Sequence, residues 1–290
     1  MNSCSDTVAI ISHDAGGAEL ISSMVYHKKL KCKFSLGGPA KKIFEKKIGS
    51  VKNLPFREAI NKSNYAITGT GWATDLEYNA IKYAKDKQIP VIAYLDHYVN
   101  YKERFIRNDL EILPNQFWVT DKYSFDICKN IFPSTKLKIV DNFYLKDQLS
   151  QIKKIDDLIE DNLLYILEPT RNKWGKNKLG EFQALDYFLS KLSFLNLPRN
   201  TKINLRPHPS DKFGKYDSWI KERKEPFKFL INESLSLNES ISKSKWIVGC
   251  ESYALVIAIE AGRKVFTSLP SWAHECRLPQ KKIVKMKNLK

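Results

Sequence analysis

Apolar residues fall along this chain in short β-branched runs, each closed by a polar or glycine-bearing turn and followed by a stretch of helical spacing. Thr7 to Ser12 (TVAIIS) reads as a strand that stops at His13-Asp14-Ala15-Gly16-Gly17, after which Ala18 to His27 repeats with helical period. Lys33 to Leu36 before Gly37-Gly38-Pro39, and Tyr65 to Thr68 before Gly69-Thr70-Gly71, predict two further strands. Asp75 to Lys87 predicts a helix, and Pro90 to Leu95 (PVIAYL) a strand closed by Asp96-His97. Gln116 to Thr120 and Lys138 to Val140 continue the series. Strands this apolar have no side left for water, which argues for a parallel sheet covered on both faces.

From Gln148 to Asn162 the chain becomes charged and weakly periodic, as a linker or connecting helix would be, and then the rhythm restarts. Leu163 to Leu167 predicts a strand, Lys178 to Leu195 an amphipathic helix, and Lys202 to Leu205 a strand stopped by Arg206-Pro207-His208-Pro209. Phe227 to Ile231, Trp246 to Gly249 and Lys264 to Leu269 predict strands; Leu237 to Ser244 and Ser252 to Ala261 predict helices. No sequence repeat accompanies the recurring β/α rhythm. The expected fold class is α/β, with two Rossmann-like domains over residues 1–150 and 151–290 and a cleft between them. A length of 290 residues is about twice the usual single domain, and 43% hydrophobic residues suffice for two cores.

Composition narrows the setting. No run approaches eighteen apolar residues, and Met1 to Asp6 lacks the basic start and apolar stretch of a secretory signal, so a cytoplasmic protein is expected. Cys4, Cys32, Cys128, Cys250 and Cys276 are scattered and odd in number, which reads as free thiols. Lys+Arg 48 against Asp+Glu 32 gives a net charge of +16 and a positive field over the surface, so anionic partners are expected. No zinc finger, RNP-like strand or helix-turn-helix signature is present, which argues against specific nucleic-acid binding. Lys281 to Lys290 (KKIVKMKNLK) alternates basic and apolar residues, as a tail resting on an anionic membrane would, and a frayed basic terminus reads the same way.

In open α/β sheets ligands collect beyond the carboxyl ends of the strands, so the polar residues there are the candidates. In the second half these are Glu168 and Thr170, Arg206 to Pro209, Glu233, and Glu251, Ser252 and Tyr253. Ser252 opens an apolar helix directly after a strand and a glycine. The free amides there suit a nucleotide phosphate, and the same serine suits a helix cap. His208 stands between two prolines that stiffen its backbone, and can hydrogen-bond a departing phosphate.

Arg206-x-His208-Pro209, then Glu233 after Phe229-Leu230-Ile231, then Ser252-Tyr253 before an apolar helix, resembles the HP-motif pattern of bacterial sialyltransferases and of capsule-assembling Kdo and nonulosonate transferases. The resemblance covers about the last third of the chain in order and spacing. It implies a GT-B glycosyltransferase, with His208 on the CMP phosphate, Glu233 on the ribose hydroxyls and Ser252 on phosphate. The implied reaction moves a CMP-activated nonulosonic acid or Kdo-type sugar onto a lipid-linked or anionic surface glycan, without a resident cofactor. The paired-acid-plus-glycine motif that supplies the base in those sialyltransferases has no copy here.

The base is therefore argued from chemistry. Asp14 is the first choice, because glycines Gly16 and Gly17 behind it allow close approach of substrate; helix capping is its rival reading. Asp96, with His97 beside it, is the second, and His13 is read as orienting Asp14 or a sugar carboxylate. Thr70, in a glycine turn without GxGxxG spacing or a P-loop lysine, is expected to line the substrate site. Lys102, Arg104 and Arg107 form a basic run suited to an anionic acceptor or to a solvated face. The histidines stand too far apart for a metal cluster, so metal-independent transfer is expected. Two alternatives accompany this reading: a UDP- or GDP-sugar transferase or sugar-nucleotide epimerase of the same fold, and a non-catalytic basic protein that binds nucleic acid or membrane.

Overall fold

The computed structural model describes residues 6–155, 161–231 and 234–289. The chain divides into two compact units, Met1–Asp147 and Gln148–Lys290.

The first unit runs β1 (Thr7–Ser12), α1 (Ala15–Lys28), β2 (Lys31–Leu36), α2 (Gly38–Ile48), α3 (Phe56–Asn61), β3 (Tyr65–Thr68), α4 (Leu76–Asp86) and β4 (Val91–Tyr94). A small antiparallel pair follows, β5 (Ile106–Arg107) and β6 (Leu110–Glu111), then β7 (Gln116–Val119), α5 (Lys122–Ile131), β8 (Lys136–Ile139) and α6 (Phe143–Ser150). Its sheet has the order β2-β1-β3-β4-β7-β8, and every pairing in it is parallel. Alternate residues of β1 feed opposite cores, as strand geometry requires. Val8 and Ile10 join Leu20, Ile21 and Phe44 under α1 and α2, whereas Ala9 and Ile11 join Ala59, Ala80 and Ile81 under α3 and α4.

The second unit runs β9 (Asn162–Ile166), α7 (Gly180–Lys191), β10 (Lys202–Arg206), α8 (Asp217–Lys221), β11 (Lys228–Ile231), α9 (Leu237–Ser242), β12 (Trp246–Gly249), α10 (Tyr253–Glu260), β13 (Lys264–Thr267) and β14 (Val284–Lys285). Its order, β11-β10-β9-β12-β13-β14, is that of a Rossmann sheet, again parallel throughout. The helix expected over 178–195 starts at Gly180 and tightens into a 3-10 turn at Leu192–Leu195, which Asn196 ends in the left-handed region. The 148–162 segment leaves the end of α6 and reaches β9; residues 156–160 lie outside the described residues.

The basic C-terminal segment is built into this sheet. Val284–Lys285 pairs with Phe266–Thr267, Met286 is buried, and Lys285 and Lys287 both engage Glu275. That differs from the reading of this segment as a frayed terminus: Ile283 and Met286 are buried, while Val284, the apolar residue of β14, stays 40% exposed. Among the described residues no helix is long and apolar enough to cross a membrane.

Candidate functional site

In the first unit the strand order reverses between β1 and β3, and the loops after these strands, with that after β4, bring the candidate residues together. His13 Nδ1 lies 2.7 Å from Asp14 Oδ1. Asp14 Oδ2 accepts the Trp72 N–H at 3.3 Å, so the loop after β3 is tied to the loop after β1. Asp14 precedes α1 but makes no side-chain cap bond, which removes capping as its explanation. An ionised carboxylate only accepts, so a bond to ionised Asp14 requires a proton on His13 Nδ1, and in the neutral ring the lone pair then falls on Nε2.

Glycines make this packing possible. A Cβ at Gly38, whose φ is +43°, would lie 2.6 Å from His13 Nε2, and one at Gly71 would lie 2.5 Å from Asp14 Oδ2. A Cβ at Gly16 would lie 2.0 Å from Asp96 Oδ2, and one at Gly17 would press on the Gly69 backbone at 3.2 Å. Gly16 and Gly17 therefore admit neighbouring protein groups, where the sequence reading gave that space to substrate.

Asp96 is already paired. Its Oδ1 accepts from Arg104 Nη1 at 2.5 Å, and the same guanidinium donates to Thr70 Oγ1 at 2.7 Å and to the Thr70 carbonyl at 3.3 Å. This corrects two expectations. Arg104 turns inward instead of facing an acceptor, and Asp96 serves as its counter-ion. Arg107 is likewise bound, to Asp75 at 2.7 Å. His97 is half-buried with its ring edge-on to Tyr98 at 5.8 Å. Glu77, in the first turn of α4, escaped the sequence reading. It is 1% exposed, accepts the His13 backbone N–H at 2.7 Å, and burial raises its carboxyl above the usual range. Trp72 stands 49% exposed beside Asp14, with the Arg104 guanidinium 5.9 Å from its ring.

In the second unit the reversal lies between β9 and β12, and the residues there differ in role from the expectation. Glu168, just beyond β9, places Oε1 on the N–H groups of Cys250 (2.8 Å), Glu251 (2.9 Å) and Ser252 (3.0 Å). Burial pushes its carboxyl up to about 7 in spite of these amides. The Ser252 Oγ accepts the Ala254 N–H at 3.2 Å and so caps α10. Ser252 fills the capping role, and the backbone amides read as a phosphate site hold a protein carboxylate. Glu251 is bound by His274 at 2.9 Å and by Arg277, which hold its carboxyl below the usual range. Tyr253 is the first residue of α10.

The Arg206 guanidinium donates to the Leu235 carbonyl and to Ser240 Oγ at 3.2 Å, locking β10 to α9. Thr170 accepts the Glu181 N–H at the start of α7 and packs its methyl over Gly180. His208 and Pro209 are exposed. The His208 Nδ1 accepts the Ser210 N–H at 3.1 Å. Glu233 lies outside the described residues. The loop that follows His208 carries groups without a sequence motif: Lys212, the 90% exposed Phe213, and, from the loop after β9, Arg171. Among the described residues no three His, Cys, Asp or Glu side chains are placed to hold a metal ion.

No protein-family model matches the chain, and no curated protein matches it in sequence. Solved structures do resemble it. The UDP-GlcNAc 2-epimerase of Methanocaldococcus jannaschii, in complex with UDP-GlcNAc and UDP, superposes with a TM-score of 0.59 at 12% identity, over 90% of this chain and 83% of that one. MurG of Acinetobacter baumannii superposes with a TM-score of 0.52 at 11% identity, over 90% of this chain and 78% of that one. Identities this low establish architecture alone: two parallel-sheet Rossmann-like domains in one chain, the GT-B fold.

Proposed function

We propose that this chain is a nucleotide-sugar enzyme, a glycosyltransferase that takes a UDP-linked sugar, with the His13–Asp14 pair removing a proton from the acceptor. The pair itself carries the reading. A histidine whose Nδ1 is held by a carboxylate presents Nε2 as a base, and the carboxylate then stabilises the imidazolium that forms. In transfer, Nε2 takes the acceptor hydroxyl proton, the oxygen bonds to the anomeric carbon, and the bond from that carbon to the nucleotide phosphate breaks. Asp14 thus passes from candidate base to positioning residue. Trp72 offers an apolar face to the acceptor sugar beside the base. Support for the UDP-linked donor comes from the fold shared with an epimerase that binds UDP-GlcNAc.

A second reading keeps CMP as the nucleotide, on the order His208, Glu233, Ser252. It is weakened by the Glu168 carboxylate on the amides that its serine would use.

Turnover of UDP-, GDP- and CMP-sugars, with and without a glycan acceptor, tests the proposal. Conversion of a UDP-sugar that needs acceptor supports transfer, whereas conversion without one indicates epimerisation. His13→Ala is expected to lower kcat by roughly 10²–10⁴-fold and to leave nucleotide binding intact. Wild-type turnover in that variant removes His13 as the base.

A further inference from the structure

A phosphate bound by an open α/β sheet ordinarily meets the helix N-terminus at the point where strand order reverses. In the second unit that place, the start of α10, is filled from within. Glu168 occupies three consecutive amides, and Glu251 beside it is a second carboxylate. A phosphate set there would face two acids and would have to displace a buried one.

Uncommitted positive charge lies one strand away. Arg171, after β9, and Lys212, after β10, are both exposed, and neither side chain is hydrogen-bonded or ion-paired to a described residue. They border an open pocket of about 410 Å³, within the roughly 300–1,000 Å³ typical of small-molecule sites. Lys215 in the same pocket is spent on Glu181 and Asp211, at 2.6 Å each. Phe213 stands as a shared wall between this pocket and a second, of about 340 Å³, bounded by Asp217, by Ile231 at the end of β11 and by Ser234. An aromatic ring left 90% in water between two concavities, with cations on one side, matches a ligand that is flat and apolar at one end and anionic at the other.

We infer that the donor nucleotide binds here, with its phosphates on Arg171 and Lys212 and its base stacked on Phe213, while the start of α10 takes no part. The inference rests on the nucleotide-sugar reading and names the surface that serves it. Titration calorimetry of the full chain with UDP, and with CMP, GDP and ADP as alternatives, tests it. The Arg171→Ala/Lys212→Ala double variant is expected to weaken binding by tenfold or more, and to flatten its salt dependence. Phe213→Ala is expected to weaken it on the order of tenfold, and Phe213→Tyr to restore it. All three side chains are exposed, so circular dichroism should show the variants folded. If the wild type binds a nucleotide and these variants bind it equally well, the pocket is excluded and the nucleotide-sugar reading stands. If the wild type binds none of the four nucleotides, both fall together.

Discussion

At the scale of single residues, Glu168 shows two effects in opposition. Three amides favour its charged form, burial disfavours it, and burial prevails, carrying the carboxyl from the ordinary 4.5 to about 7. Between those values the folded chain holds a proton that the unfolded chain has released. Stability therefore falls as pH rises through that window, by up to roughly 3 kcal/mol. Glu168→Gln removes the titrating group, so its stability should vary less over the same range. Urea midpoints at pH 5 and pH 8 for both proteins check this. The wild type should lose more between the two than the variant does, and parallel losses would contradict the account.

Much of the first unit's candidate site was legible at this scale. A strand ending in His-Asp before two glycines marked the right turn, because a sharp exit from a buried strand needs polar and small residues together. What the residues do there was not legible, because each role depends on a partner distant in sequence. Glu168 and Ser252 stood as two separate ligand candidates, although one closes the amides beside the other across 84 positions. Arg104 belonged to an ordinary basic run until the fold placed Asp96 and Thr70 around its guanidinium. No spacing pointed to Glu77 or Phe213: the first is one acid in an amphipathic helix, and the second matters only because the fold leaves it bare.

At the scale of elements, the β/α alternation carried most of the architecture, because fully apolar strands between amphipathic helices admit few arrangements. The C-terminal edge was misjudged for an equally physical reason. A two-residue parallel strand carries too little pattern to tell from an amphipathic tail. How closely elements approach each other is encoded in glycines such as Gly16, in the first turn of α1. Alanine at a helical position ordinarily stabilises by about 1 kcal/mol. At Gly16 its Cβ would instead meet Asp96 Oδ2 at 2.0 Å, and Arg104 and Thr70 hold that carboxylate in place. Gly16→Ala is therefore expected to destabilise by about 1–3 kcal/mol, as overpacking does. In an Asp96→Ala background the obstructing atoms are gone, and the same substitution should become neutral or stabilising. A double-mutant cycle by chemical denaturation measures the coupling; purely additive effects would show that the contact does not limit how α1 packs.

At the scale of the whole molecule, each unit has its own parallel sheet and its own buried clusters. Such a chain need not melt as one cooperative body, and a ligand held by one unit stabilises the unit that holds it. Scanning calorimetry is expected to resolve two transitions, or one whose calorimetric enthalpy exceeds its van't Hoff enthalpy. Nucleotide at about 100 times its Kd adds about 2.7 kcal/mol to the state that binds it, so one component should move up while the other stays. The Arg171→Ala/Lys212→Ala variant identifies the component that moves, because both residues belong to the second unit and neither touches its core. A shift abolished by that variant assigns the nucleotide to residues 148–290. If both components move together with nucleotide, the two units melt as one body and the independence of their cores is refuted.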